Sequence, residues 1–177
     1  MRSNRTFKMI TAAICLALAM VLPFFTGQIP QIGKMLSPMH IPVFLCGFFC
    51  GPIYGLVIGF IAPLLRSVTF GMPALMPSAV GMCFELATYG LISGLMYRAL
   101  PKKNVYIYVS LITAMIAGRI VWGIARVILL GVGGYEFGWE AFIAGALLNA
   151  IPGIILHIVL VPIIVIAVKK AIPALRE

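Results

Sequence analysis

Five long apolar segments occupy most of this chain and restrict it to one class of fold. They cover residues 7–25, 41–65, 77–100, 106–130 and 141–168. A helix needs about 20 apolar residues to cross the roughly 30 Å hydrocarbon core of a bilayer, so each segment has the length of a membrane span. Because 63% of the residues are hydrophobic and no stretch has the polar composition of a linker, the sequence predicts an all-α membrane protein. We expect one domain that covers residues 1–177.

The number of spans depends on Gly51-Pro52, which interrupts the second segment. Proline lacks a backbone donor and disfavours helix at the residue before it, so this segment is either one kinked span or two short helices. Basic residues cluster within residues 2–8, 98–103 and 169–176, and such clusters are enriched in cytoplasmic loops. Five spans would place the middle cluster outside, whereas six keep all three inside. We therefore expect six transmembrane helices with both termini cytoplasmic.

Glycine recurs every fourth residue across this break, at Gly47, Gly51, Gly55 and Gly59. Small residues at that spacing allow helix backbones to approach each other closely. Two helices of about a dozen residues are short for a bilayer and have to be tilted or sheltered by their neighbours. We expect the glycines to pack this short helical hairpin tightly.

The first outer connection, residues 26–38, is long for a small helical bundle and contains two glycines and two prolines. Loops of this length without secondary structure are often lids or binding loops, or else they are disordered. We expect this extracellular loop to be a lid over a pocket that opens to the outside.

Four charged residues lie in apolar surroundings: Arg66, Glu85, Arg119 and Arg126. A charge near the bilayer centre costs roughly 2.5 to 3.5 kcal/mol even on lenient scales, so such residues usually face a bundle interior and mark a site. Glu85 is the one acid inside a predicted span. It either pairs with an arginine to hold helices together or positions an arginine for a ligand.

Helical spacing predicts which polar residues share a face. Arg119, Trp122 and Arg126 follow i, i+3 and i+7 on the fifth predicted helix, so all three lie on one side of it. Glu85 and Tyr89 belong to a similar one-sided stripe on the fourth. We expect both stripes to face the interior of the bundle.

Three further positions complete the candidate site at its outer end. Asn149 lies in a stripe of small and polar residues on the sixth predicted helix, which His157 continues at greater depth. We leave His157 out of the site, because such a histidine is more often a packing residue. His40 opens the second helix, and Arg66 follows the end of the third, which places both at the outer rim.

An excess of three arginines over one glutamate makes the expected cavity cationic, which suits an anionic ligand. Arginine binds a carboxylate through a bidentate fork. Trp122 and Tyr89 would pack an apolar or ring portion of the ligand, and Asn149 would recognise an amide or a hydroxyl group. A carboxylate is the simplest guest, and a phosphate would fit equally well.

Missing motifs exclude several functions. The chain has no Walker A, HExxH or GxSxG motif, so we expect neither ATP hydrolysis nor a catalytic site, and no cofactor bound to this chain. Its four cysteines lack CxxC spacing, which argues against a metal site. The basic clusters adjoin apolar segments rather than forming a soluble basic face, which argues against nucleic acid. The one-sided polar residues disfavour a channel, and the absence of a convincing internal repeat disfavours an autonomous transporter.

An ordered set of short segments resembles the S component, or substrate-binding subunit, of energy-coupling factor (ECF) transporters. The set comprises Ala13-x-x-x-Ala17, the long first outer loop, Pro-Met-His-Ile-Pro-Val at 38–43, Pro-Leu-Leu-Arg-Ser at 63–67, Phe-Gly-Met-Pro at 70–73 and Phe-Glu-Leu-Ala-Thr-Tyr-Gly at 84–90. The resemblance covers essentially the whole chain.

The resemblance implies a multi-pass subunit of a prokaryotic plasma membrane that captures a vitamin from outside. Such a subunit docks through the Ala13 and Ala17 face onto a transmembrane T component, which two ATPase subunits drive. Within the family the chain is most similar to the pantothenate-type branch. Hydroxymethylpyrimidine, pyridoxine, folate or riboflavin types remain the alternatives, followed by an autonomous small-molecule carrier. Nickel or cobalt subunits would carry an N-terminal histidine, and position 2 here is Arg2.

Overall fold

The computed structural model describes residues 2–26, 35–132, 143, 145 and 150–172, and every regular element within them is helical. Helix α1 is followed by a 3-10 turn, and a π-helical turn leads into α4. In chain order the elements are α1 (Arg2–Val21), the 3-10 turn (Leu22–Thr26), α2 (His40–Cys50), α3 (Pro52–Phe70), the π-helical turn (Leu75–Ala79), α4 (Val80–Ala99), α5 (Asn104–Val132) and α6 (Ile151–Ala171).

Five helical stretches among the described residues are long and apolar enough to cross a membrane, which confirms the all-helical membrane class. They are Arg5–Phe25, Pro52–Phe70, Leu75–Ala99, Asn104–Gly131 and Ile151–Ala171. Helix α2 has 11 residues and is therefore only about 16 Å long. All but one of its residues are buried, so neighbouring helices shelter it from lipid.

The helix is interrupted at Gly51, as the interpretation with two helices predicted. Gly51 has a φ of 99°, a conformation that favours glycine, and Pro52 begins α3, where its missing N–H costs no helical hydrogen bond. The expectation of two helices of about a dozen residues holds only for α2. Helix α3 passes through the buried Pro63 and continues to Phe70, giving it 19 residues.

The described helices bring all three basic clusters to one end of the bundle. Arg5 and Lys8 of α1 line the same cleft as Arg98 of α4. Lys169, in the last turn of α6, contacts Tyr97, one residue before Arg98. The start of α1 and the end of α6 therefore lie together. We call this side of the bundle the basic end and the opposite side the loop end.

Glycines hold α2 and α3 against α4. A Cβ atom added at Gly55 would lie 2.5 Å from the carbonyl oxygen of Gly90, and one added at Gly59 would meet the backbone of Leu86. Gly47 faces Gly90 and Ser93 in the same way. The glycine ladder thus allows close backbone packing, as predicted, but its contact is with α4 and not within the α2–α3 hairpin. This packing fixes the position of the polar residues on α4.

Candidate functional site

A buried polar cluster centres on Glu85 of α4. The Glu85 side chain is 2% exposed, and its Oε1 atom accepts a hydrogen bond from the Tyr89 hydroxyl at 2.7 Å. Arg119 of α5 places its Nη1 atom 2.9 Å from the same oxygen. An ionised carboxylate buried in a membrane protein needs such partners, because water does not solvate it there. The cluster therefore pairs the acid of the apolar region with one of its three arginines.

Local sequence explains why these side chains meet. Tyr89 follows Glu85 by one helical turn, so both lie on one face of α4. Gly118 precedes Arg119 on α5, and a Cβ atom at that position would overlap the Tyr89 ring. On the opposite side Phe44 of α2 stacks on the same ring, with 4.8 Å between the centroids. Three helices thus converge on the Glu85–Tyr89 face.

Two histidines extend the cluster towards α6 and the first loop. His40 places Nε2 3.8 Å from Oε1 of Glu85, and its Nδ1 donates to the Ser37 carbonyl oxygen at 3.0 Å. His157 donates from Nε2 to the same carbonyl at 3.3 Å, and the two imidazole rings are 5.6 Å apart. Nε2 of His40 is buried and has no hydrogen-bond partner among the described residues. The end of the first loop, at Ser37, is therefore fastened to both α2 and α6.

His157 belongs to this cluster, although the sequence analysis left it out of the site. Its signal was present in the sequence, because His157 follows Gly153 by one turn in the stripe that also holds Gly145. A Cβ atom at Gly153 would meet the backbone carbonyl oxygens of Met35 and Leu36. The small residue lets the chain before Ser37 pass close enough to α6 to reach His157.

Arg126 and Trp122 form a second group on the same side of α5. The Arg126 guanidinium carbon lies 5.4 Å from the centre of the Trp122 ring, within the range of a cation–π contact. Nε of Arg126 is buried and has no hydrogen-bond partner in the described part of the chain. Gly81 of α4 lies beside its side chain, since a Cβ atom there would be in ordinary van der Waals contact with Cδ, at 3.8 Å. Arg126 is seven residues beyond Arg119, about 10 Å nearer the loop end.

Arg66 lies elsewhere, enclosed between α1 and α3. Arg66 was expected at the outer rim, after the end of its helix. The helix does not end before it, because α3 continues to Phe70, and the side chain is 3% exposed. Its Nη1 donates to the carbonyl oxygen of Met20 at 2.5 Å, and its guanidinium lies 5.0 Å and 5.2 Å from the rings of Phe24 and Phe70. Met20 is in the last turn of α1, where carbonyls lack helical partners. Arg66 therefore caps α1 and joins it to α3.

The remaining predicted positions are either exposed on α1 or lie outside the described residues. Ala13 and Ala17 are exposed on α1, with Ala12 and Cys15 turned to the core. Asn149 and loop residues 27–34 lie outside the described residues. Within the described ranges no group of three or more histidine, cysteine, aspartate or glutamate side chains is placed to hold a metal ion.

A helical membrane protein with paired charges and aromatic rings enclosed between its spans is of the class that binds or moves a polar solute. A family model described as "ECF transporter, substrate-specific component" matches residues 7–165. The chain therefore belongs to the substrate-specific components of ECF transporters. No curated protein and no solved structure matched the chain.

Family membership gives the broad activity of the chain. It is a substrate-specific membrane subunit of a transporter, and its family is not an enzyme class, which fits the interpretation as a non-enzyme. Members of this family work with T components and ATPase modules, so partners of that kind are implied.

Proposed function

We propose that this subunit captures a carboxylate-bearing vitamin, with pantothenate as the best candidate, and delivers it to the cell interior. In this proposal six helices cross the prokaryotic plasma membrane, the loop end faces outside and the basic end faces the cytoplasm. The basic residues gathered around Arg98 support that orientation, since lysine and arginine are enriched on the cytoplasmic side. Residues 26–38 act as the lid of the binding site.

One donor of Arg126 has no hydrogen-bond partner among the described residues, and this observation favours an anionic substrate. Arg119 is neutralised by Glu85, and Arg66 donates to the Met20 carbonyl oxygen. Arg126 has a buried Nε that needs an acceptor, and it lies over the Trp122 ring. A buried N–H group without an acceptor costs about 1 to 3 kcal/mol, which a bound carboxylate would recover. A ligand carboxylate would also form the bidentate geometry that a guanidinium favours.

In this proposal the other predicted residues act around Arg126. Trp122 packs the apolar part of the ligand, and Asn149 recognises a hydroxyl or amide group. Glu85 and Tyr89 hold Arg119 at the base of the site, and His40 connects that base to the lid through Ser37. Arg66 acts indirectly, because it holds α3 against the end of α1 beside the site.

Delivery requires the partners of the family. The exposed Ala13 and Ala17 present small side chains on α1, which suits close contact with a helix of a T component. Two ATPase subunits supply the energy, and ATP binds to them and not to this chain. The loaded subunit then topples in the membrane and brings the site to the cytoplasm.

A ligand panel tests this proposal on the purified chain alone. We expect pantothenate to raise the thermal unfolding midpoint and to bind with nanomolar to low micromolar affinity. Panthenol is a matched control, because it replaces the carboxylate with an alcohol, and we expect it to give little shift. If no vitamin shifts the midpoint, the binding-subunit function is wrong. If panthenol and pantothenate act equally, the carboxylate anchor is wrong.

A ring-containing vitamin without a carboxylate is the second candidate. The Glu85–Arg119 pair favours it, because pairing lowers the excess positive charge of the site. Hydroxymethylpyrimidine, pyridoxine and riboflavin therefore belong in the same panel. Folate is added as a ring-containing vitamin that does have carboxylates. An autonomous carrier would be identified by ligand flux into liposomes that contain this chain alone, whereas the proposed subunit gives none without its partners.

A further inference from the structure

Three of the four cysteines meet where α1 packs against α2. Cys15 belongs to α1, whereas Cys46 and Cys50 lie one turn apart on α2. The Cys46 thiol contacts the thiols of both other cysteines. All three residues are free cysteines and are buried, with exposures of 4%, 0% and 1% in chain order. We call them the thiol cluster, and the proposed transport function does not use it.

The thiol cluster reaches a cleft at the basic end of the bundle. The cleft has a volume of about 400 Å³, and Cys50 lines it together with Arg5, Lys8 and Arg98. A cation beside a thiol favours the thiolate, which is the reactive form of cysteine. Cys46 lies one turn further from this end. Cys50 is therefore the thiol that a reagent in the cleft meets first, and its 1% exposure admits only a small reagent.

Helix geometry decides which two sulfurs of the thiol cluster suit a disulfide bond. Residues four apart on one helix have Cβ atoms about 5 to 6 Å apart, whereas a relaxed disulfide needs about 3.5 to 4.5 Å. A bond between Cys46 and Cys50 would therefore be strained and easily reduced. Cys15 and Cys46 belong to different helices, so this restriction does not apply to them. The favoured bond is the one between α1 and α2.

We propose that the thiol cluster is a site of reversible oxidation by hydrogen peroxide, with a disulfide between Cys15 and Cys46 as the product. Peroxide oxidises the Cys50 thiol to a sulfenic acid and is reduced to water. The Cys46 thiol then attacks the Cys50 sulfur, which forms a disulfide and releases a second water. Finally the Cys15 thiol attacks the Cys46 sulfur, and Cys50 leaves as a thiol that takes up the proton. Two thiols have then lost two hydrogen atoms to one peroxide.

The new bond fastens α1 to α2. Cys15 lies on the buried side of α1, whereas Ala13 and Ala17 lie on its exposed side. Oxidation therefore restrains the helix of the proposed docking face against the helix that carries His40. A thiol reductant reverses the bond by exchange. The site does not depend on the identity of the transported substrate.

Mass spectrometry of the purified full chain tests the proposal. We expect dilute hydrogen peroxide to remove two hydrogen atoms from each chain, and a peptide map to place the bond between Cys15 and Cys46. A thiol reductant should restore the mass. The oxidised chain should have the higher unfolding midpoint, because a cross-link restricts the unfolded state. A product that only gains oxygen at Cys50, or a disulfide that lacks Cys15, would overturn the proposal.

Single alanine variants test the order of the steps. Cys50→Ala should slow formation of the interhelical bond about tenfold, because peroxide then has to reach a deeper thiol. Cys83→Ala should change that rate less than about twofold, because this buried cysteine of α4 is outside the thiol cluster and donates to the Ala79 carbonyl oxygen. Equal rates in the two variants would contradict entry through Cys50. The peptide map uses the unchanged protein, so its result holds even if a variant does not fold.

Discussion

Arg119 and Glu85 form an ion pair that joins α5 to α4, with 2.9 Å between Nη1 and Oε1. The carboxylate is almost fully enclosed, whereas the arginine side chain keeps 19% of its exposure. The same oxygen accepts the Tyr89 hydroxyl, and it faces the unpartnered Nε2 of His40. One oxygen atom therefore joins α4 to α5 and lies close to α2, and it fixes the arginine that pairs with it beside the proposed site.

Breaking this pair on one side should destabilise the protein strongly. We expect Glu85→Gln to cost about 3 kcal/mol, because it leaves the charge of Arg119 buried without compensation. Adding Arg119→Gln to that variant should recover part of the loss, because both charges are then absent. Tyr89→Phe is the milder control and should cost about 1 kcal/mol, the value of one hydrogen bond. Thermal unfolding in one detergent compares these three variants with Arg119→Gln alone, and additive losses in the double variant would show that the two residues do not interact.

Much of this arrangement follows from the sequence, because it depends on helical spacing and on the cost of membrane charges. The spacing of Glu85 and Tyr89 predicted one polar face on α4, and pairing of Glu85 with an arginine was one of two interpretations. The structure shows that pairing with Arg119. Whether the pair also orients an arginine for a ligand stays a prediction. The glycine ladder predicted close packing, although the spacing alone did not identify α4 as the partner.

Other features depend on long-range packing that spacing does not encode. The third helix was expected to end before Arg66, yet α3 continues to Phe70. Arg66 caps a carbonyl of α1 that is 46 residues earlier in the chain, and its own neighbours in sequence give no sign of this contact. His157 had two interpretations, packing or site, and the position of the Ser37 carbonyl places it in the polar cluster.

Arg126 should determine whether the protein distinguishes a carboxylate from an alcohol. We expect Arg126→Ala to weaken pantothenate binding at least about tenfold and to leave panthenol binding unchanged, because only the first ligand needs the charged fork. Arg126→Lys should recover the charge but not the bidentate geometry, so its affinity for pantothenate should lie between those of the unchanged protein and Arg126→Ala. Isothermal titration with both ligands measures the ratio of their affinities.

Arg66→Gln is the control for Arg126, since it also removes one arginine. It should lower the unfolding midpoint through loss of the Met20 contact and keep the preference for pantothenate over panthenol. If Arg66→Gln loses that preference and Arg126→Ala keeps it, then Arg66 recognises the carboxylate and Arg126 does not.

The exposed alanines of α1 should affect transport but not ligand capture. We expect Ala13→Leu or Ala17→Leu to retain vitamin binding and to block uptake in cells, because a larger side chain separates α1 from a T component. Ala167→Leu is the matched control, since Ala167 is also an exposed alanine, on α6. Uptake of labelled vitamin and binding to the purified variants separate the two steps. Normal uptake in both α1 variants would reject this docking face.

The contact between α3 and α4 should tolerate no side chain at its centre. We expect Gly55→Ala or Gly90→Ala to cost about 1 to 3 kcal/mol, because each added Cβ atom would overlap the backbone of the opposite helix. Gly131→Ala should be neutral or stabilising, since no heavy atom of the described residues lies within 4 Å of a Cβ atom at that helical position. Equal midpoints for Gly90→Ala and Gly131→Ala would show that the two helices are not packed this closely.

His157 should control how firmly the end of the first loop is held at Ser37. Its Nε2 donates to the Ser37 carbonyl oxygen, which also accepts from His40, so the imidazoles of α2 and α6 share one acceptor. His157→Phe keeps an aromatic ring beside Phe44 but removes the donor, and we expect a loss of about 1 kcal/mol and faster release of bound vitamin. Stopped-flow measurement of ligand dissociation tests the second effect.

Phe44→Leu is the control, because it removes ring packing and keeps the hydrogen bond. If the loop contact is what slows release, ligand should dissociate faster from His157→Phe than from Phe44→Leu. Equally fast ligand dissociation in both variants would show that loss of core packing, and not loss of the His157 hydrogen bond, causes the effect.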